Sequence, residues 1–170
     1  FQFSAICINN VLSPTQYIGS IKNPCSFWKE LDPEIKGSIK QGTFRGLMFQ
    51  DPGIQNLCAK AVSLIARLDV PLLNYPDLFD NIFQIITDDQ FGESSKLGGI
   101  KAITELLTMH TIKNPTIPKF SDVNQIGSNI FEITLTILQT QEATDEFKKV
   151  AAECLTIALS FFEENIKDQF

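Results

Sequence analysis

The chain has 170 residues, 44% of them hydrophobic, and 14 Lys and Arg against 20 Asp and Glu give a formal net charge of −6. That length and apolar content suit one sizeable folded domain, and no apolar run approaches the roughly 18 residues that a membrane span needs. The acidic balance argues against nucleic acid as the main partner, because phosphate binding needs concentrated Lys and Arg.

The opening residues FQFSAICINNVL carry no basic region ahead of their apolar part, which makes them a poor signal peptide. They read as the C-terminal part of an amphipathic helix over residues 1–12, ended by Ser13-Pro14. Residues 13–25 hold Pro14, Gly19, Asn23 and Pro24 and are expected to form a loop. Helical patterning resumes at Ser26 with Phe27, Trp28 and Leu31. Ile35, Ile39, Thr43, Leu47 and Met48 then set a helix from Pro33 to Phe49.

Asp51-Pro52-Gly53 is expected to be a tight turn. After it, Ile54, Leu57, Cys58, Ala61, Val62, Ile65 and Leu68 fall on one continuous helical stripe. Asn56, Lys60, Ser63 and Arg67 fall on another face. Asp69 and Pro71 stop that helix, and a further one is expected from Pro76 to Thr87. The polar residues 88–92 lead into a helix from Glu93 to Thr111, whose stripe is Leu97, Ile100, Ile103, Leu107 and His110. Two prolines make 113–119 a loop. Helices from Asp122 to Gln139 and from Glu146 to Lys167 follow, the last with a stripe of Phe147, Val150, Ala151, Cys154, Leu155, Ala158, Leu159 and Phe162. No segment alternates with period two between hairpin turns, so strands are not expected.

Superposing Ala61-Val62, Ala102-Ile103 and Cys154-Leu155 spaces three long helices roughly 40 to 50 residues apart, within the range of two-helix repeats of the HEAT and armadillo kind. The fold class read from this is all-α, an α-α superhelix. In that register Lys60, Lys101 and Glu153 are equivalent, as are Ser63, Thr104 and Thr156, and Arg67, Thr108 and Ser160. Equivalent polar positions on successive helices of a solenoid line one concave surface, which is its default binding site.

Residues for covalent chemistry do not assemble. His110 is the single histidine and sits on an apolar stripe. Asp88-Asp89 beside Glu93 could suggest a metal-dependent helical enzyme, but a solvated helix start accounts for the same residues. Gly42, Gly46, Gly98 and Gly99 are not followed by Lys-Ser or Lys-Thr, which removes a phosphate loop and leaves close helix packing as their reading. Cys7, Cys25, Cys58 and Cys154 form no C-x-x-C pair and read as reduced thiols, two of them inside stripes. Most of the fourteen phenylalanines lie on the stripes, with Phe44 and Phe49 as candidate exceptions. The chain is therefore not expected to be an enzyme and implies no cofactor or metal.

Trp28 to Leu31 with Ile35 to Ile39 and Lys40, the helix AKAVSLIA at 59–66, the link DVPLLNYPDL at 69–78 and EFKKVAAECLTIALSFFEENI at 146–166 resemble the N-terminal HEAT repeats of the importin β, or karyopherin β, nuclear transport receptors. In the link, Pro71, Pro76 and Leu78 match the family, with Tyr75 in place of Trp and Asp77 in place of Glu. The resemblance implies the end of a first repeat at 1–12, a second at 26–68, a third at 76–111 and a fourth at 122–167. It implies nuclear import between cytoplasm and nucleus. The implied partners are a Ran-type small GTPase in its GTP form, cargo or an importin α adaptor, and nucleoporins. The Ran-facing surface would then include Asn56, Lys60 and Arg67 with Lys101 and Glu105. A HEAT scaffold of another class, such as a phosphatase scaffold or a vesicle-coat adaptor, would share the same period and stripes.

Overall fold

The computed structural model describes residues 6, 28–69, 75, 77–111 and 123–167, without the side chains of 110, 111, 123, 124 and 164–167. Among the described residues six helices follow one another: α1 (Pro33–Leu47), α2 (Pro52–Asp69), α3 (Leu78–Thr87), α4 (Glu93–Thr111), α5 (Val123–Gln139) and α6 (Asp145–Lys167). Residues 28–30 are also helical, and no strand occurs among the described residues. The fold is all-α. Residue 6 is helical and exposed; the remainder of 1–12, the loops expected at 13–25 and 113–119, and Cys7 and Cys25 lie outside the described residues.

The helix starts follow from their capping residues. Asp32 accepts a hydrogen bond from the Glu34 backbone N–H at 2.8 Å, with Pro33 in the first helical position where its missing N–H costs nothing. Asp51 does the same for α2, accepting from Gly53 N at 2.7 Å and Ile54 N at 3.1 Å. Pro52 and Gly53 accordingly belong to the first turn of α2 instead of a separate tight turn. Thr144 caps α6, its hydroxyl accepting from Phe147 N at 3.3 Å. At the other end, α1 stops at Leu47, two residues short of the expected Phe49, with Met48 as its C-cap.

Helices pack in sequential pairs, α1 on α2, α3 on α4 and α5 on α6, and α4 lies between α2 and α6. By contrast α1 meets α4, and α3 meets α5, only marginally. The result is a layer of α2, α4 and α6 beside a layer of α1, α3 and α5. One large apolar cluster runs through it, including Leu47, Val62, Ile82, Ile100, Leu106, Ile130 and Cys154. A smaller one centres on Trp28 and Ile65.

Close approach depends on glycine at several points, with Gly99 against Ile86 and Gly127 against Phe162 as well as the two contacts that follow. A Cβ on Gly98 of α4 would overlap the Leu47 carbonyl at the end of α1, and one on Gly46 would overlap the Cys58 thiol of α2. Gly42, grouped with them on the sequence, has nothing within 4 Å and plays no such part.

The stripes are mostly core, with one clear departure. In α2, Cys58, Ala61, Val62 and Ile65 are buried and Ile54, Leu57 and Leu68 half-buried; in α4, Leu97, Ile100, Ile103 and Leu107 are buried. The side chain of His110 lies outside the described residues. In α6, Phe147, Ala151, Cys154, Ala158 and Phe162 are buried and Val150 and Leu155 half-buried, but Leu159 is 54% exposed. Leu159 lies on the side of α6 turned away from both α4 and α5, where no described helix covers it. Phe49 is exposed and Phe44 half-buried in an edge-on contact with the Tyr75 ring, and among the described phenylalanines Phe91 and Phe131 are half-buried as well.

Two glycine substitutions separate these roles. Gly42→Ala should stabilise the fold by up to about 1 kcal/mol through helix propensity and the unfolded chain's lost freedom. Gly98→Ala should destabilise it by about 1–3 kcal/mol, because the clash is with backbone that has nowhere to turn. Urea denaturation of the two variants reads the opposite signs directly.

Candidate functional site

Hydrogen bonds to the carbonyls of Asp51, Gly92 and Thr144 from the residue four positions on mark equivalent starts for α2, α4 and α6. Counted from those residues, Lys60, Lys101 and Glu153 share one position, Ser63, Thr104 and Thr156 a second, and Arg67, Thr108 and Ser160 a third. Four of the hydroxyls donate to a carbonyl one turn back on their own helix: Thr104 to Ile100 and Thr108 to Thr104, Thr156 to Ala152 and Ser160 to Thr156. They leave a smooth polar face punctuated by long charged side chains. Asn56 and Lys60 are exposed on it and Arg67, Lys101 and Glu105 are half-buried, whereas Ser63, expected on the same face, is buried with its hydroxyl donating to the Lys60 carbonyl at 3.1 Å.

Lys101 and Glu105 owe their partial burial to the seam between α2 and α4. Gln55, buried in α2, donates from Nε2 to the Phe49 carbonyl at 2.7 Å and to the Ser94 carbonyl at 2.6 Å, and its Oε1 accepts from Lys101 Nζ at 3.2 Å. Ser95 adds a bond from its hydroxyl to the Met48 carbonyl at 3.2 Å. Burial lowers the Lys101 pKa, opposed by the charge of Glu146 on α6; burial raises that of Glu105, opposed by Lys60 on α2. Both residues therefore help hold neighbouring helices in register as well as edging the polar face. Gln55 was not singled out on the sequence, where a polar residue in the first turn of a helix looks like surface.

A second polar centre is buried at the far end of α2. Asp69, 2% exposed, accepts from Trp28 Nε1 at 2.7 Å through one oxygen and pairs with Lys40 Nζ at 2.6 Å through the other. The Lys40 ammonium also lies 4.3 Å from the centre of the Tyr75 ring. Burial first, and then the Asp69 charge, push the Tyr75 phenol above its ordinary value. Asp69 is the last residue of α2, where a stop was expected, and it is in addition the acceptor that joins α1, α2 and the segment before α1. A cleft of about 370 Å³ beside it is lined by Phe44, Met48, Tyr75, Asn81 and Gln84 among others.

The acidic run after α3 is spent on turns and tethers. Asp88 accepts from the Gln90 N–H at 2.8 Å, and Asp89 pairs with Lys96 at 3.5 Å. Glu93 holds the cap of α6, accepting from the Thr144 hydroxyl and, at 3.2 Å, from the Thr144 backbone N–H. Among the described residues no group of three or more His, Cys, Asp or Glu is placed to hold a metal ion, and no helix is long and apolar enough to cross a membrane. A larger cleft of about 700 Å³ opens between α3 and α5, with Phe83, Ile86, Ile137 and Phe147 below and Glu132 and Glu142 at its rim.

The chain matches no family model, no curated protein and no solved structure.

Two measurements test the buried centres. Asp69→Ala should cost about 1–3 kcal/mol, because it leaves the buried indole N–H of Trp28 without its acceptor; the double variant with Trp28→Phe should lose less than the sum of the two single changes in a chemical melt. The second concerns alkali. Burial raises the thiol pKa of Cys58, and raises that of Cys154 to about 11 against the pull of a Thr104 hydrogen bond; the Tyr75 phenol is raised as well. For acids whose folded pKa exceeds the unfolded value, stability is complete below the unfolded pKa and falls above it. The melting temperature should therefore be level up to about pH 9 and decline from there, with a shallower slope in Cys154→Ala.

Proposed function

We propose that this chain is a partner-binding helical-repeat module without catalytic chemistry, and that its partner is a Ran-type small GTPase in the GTP form. The observation that carries the binding reading is the alignment of equivalent polar positions along α2, α4 and α6, with Asn56 and Lys60 exposed on that side. Side-by-side helices presenting one position in three copies make an extended surface that suits a protein more than a small molecule. The choice of partner comes from the resemblance to importin β. Its support is that Trp28, Lys40 and Asp69, from two of the stretches that carry the resemblance, meet in one cluster with Tyr75.

In this reading the chain works in nuclear import, shuttling between cytoplasm and nucleus. Cargo or an importin α adaptor and the nucleoporins are further partners. Release occurs by competition: the GTPase occupies the polar face and changes how neighbouring helix pairs lean on each other. Lys60, Arg67 and Asn56 contact the partner, whereas Lys101 and Glu105 contribute only their outward edges.

Charge pairs at the rim of an interface act mainly on the association rate and its salt dependence. Lys60→Glu combined with Arg67→Glu should slow association with Ran in its GTP form by about tenfold or more at low salt. The melting temperature should stay within a few degrees, as expected of surface positions. Wild-type binding that ignores the nucleotide would indicate the scaffold or coat-adaptor class, and unaltered binding by the double variant would remove this face from the contact.

A further inference from the structure

In the layer of α1, α3 and α5 the helices stand apart. Helix α4 packs along α6, whereas α3 meets α5 only marginally, and the wedge left between α3 and α5 is the cleft of about 700 Å³. Asn129, Glu132, Ile133, Thr136, Ile137 and Thr140 line it from α5 at intervals of three and four residues, one helix face about 17 Å long. The facing wall is Phe83, Ile86 and Thr87 of α3. Phe91, Ile133 and Ala143 are half-buried there, so apolar surface is left open along the cleft.

The polar groups around that strip are one-sided. Four carboxylates, those of Asp89, Glu93, Glu132 and Glu142, line the cleft against the single ammonium of Lys96. Lys96 is paired with Asp89, and Glu93 holds the Thr144 cap. The hydroxyls are engaged on their own helices, with Thr87 donating to the Phe83 carbonyl at 2.9 Å, Thr136 to Glu132 at 2.8 Å and Thr140 to Thr136 at 2.8 Å. Glu132 and Glu142 are exposed and pair with no cation among the described residues. An occupant therefore meets an apolar strip with negative charge at its rim. An acidic segment is repelled there, and a neutral one takes water from the two carboxylates without answering them.

A groove walled by two helices accepts a third, which lays residues i, i+3, i+4 and i+7 into it. Lys and Arg beside that face rest their methylene stems on the wall and bring their charged ends to the rim. We propose that the cleft between α3 and α5 docks an amphipathic helix of a partner protein, about three turns long, with Lys or Arg flanking its apolar face. The assignment is independent of the Ran reading, because it uses the layer of α1, α3 and α5 and none of the polar positions shared by α2, α4 and α6.

Fluorescence anisotropy with labelled synthetic peptides tests it. The probe is an Ala-based helical peptide of about 15 residues with Leu at i, i+3, i+4 and i+7 and Lys on both flanks. A second peptide has Glu in place of Lys, and a third keeps the Lys but has Gln in place of Leu. The first should bind, and the other two at least about tenfold more weakly. Glu132→Gln combined with Glu142→Gln should weaken the first peptide by about tenfold at low salt and by less at high salt. Thr136→Trp, at an exposed position in the cleft, should block it, with circular dichroism showing each variant folded. Absence of binding by the Lys peptide at about 1 mM overturns the proposal. Equal binding of the Gln peptide does so too, because it reduces the effect to attraction between an acidic chain and a basic one. So does equal binding of the Glu peptide, or an affinity unchanged in either variant.

Discussion

The Asp69 carboxylate is the constraint on which one half of the molecule depends. A carboxylate removed from water is tolerated only with its lone pairs and its charge answered, and the two answers come from Trp28, ahead of α1, and Lys40, inside it. Those requirements fix the rotation of α1 against α2 and the height at which the residues before α1 cross it. Tyr75 supplies the third wall, with its ring against the Lys40 ammonium. Apolar packing alone would allow α1 to slide or turn by a few degrees; a bonded buried charge has one geometry.

Gln55 does comparable work at the opposite end of α2, by a different route. It carries no charge, so it costs less to bury, and its amide satisfies the Phe49 and Ser94 carbonyls together. The Phe49 carbonyl lies past the end of α1 and has no intrahelical partner, whereas the Ser94 carbonyl, in the first turn of α4, accepts this bond through its second lone pair. Gly98 lets α4 come near enough for that bond to form, since any side chain there would strike the end of α1. Glu93 repeats the idea one interval on, by holding the Thr144 cap of α6. The successive helix pairs are thus tied by polar groups at their turns, with the apolar cluster filling the space between.

Helix positions were legible because apolar periodicity and capping residues act locally: Glu93–Thr111 was read with its observed bounds, and α5 and α6 within a residue at their starts. What a polar residue does was less legible, for a physical reason. Asp69 and Gln55 have local surroundings that look like a helix end and a helix surface, and only partners 41 and 39 residues away in sequence make burial affordable. Leu159 failed in the reverse direction. Its stripe marks it as a seam residue, and the sequence pattern carries no sign of whether a helix occupies the seam. Of the candidate site, Asn56 and Lys60 are exposed as read, while Arg67, Lys101 and Glu105 were read as exposed and are half-buried, the last two through their contacts to α2.

That partial burial links the polar face to the stack beneath it. Lys60 and Glu105 sit on adjacent helices and sense each other's charge, and Lys101 is shared between Gln55 of α2 and the field of Glu146 on α6. A charge placed on the face therefore acts on groups that also set the spacing of α2, α4 and α6. Where each helix pair contacts chiefly its neighbours, a change of spacing at one seam is passed to the next. The charges here lie along adjacent helices, and Lys101 and Glu105 are tied to groups of α2 and α6.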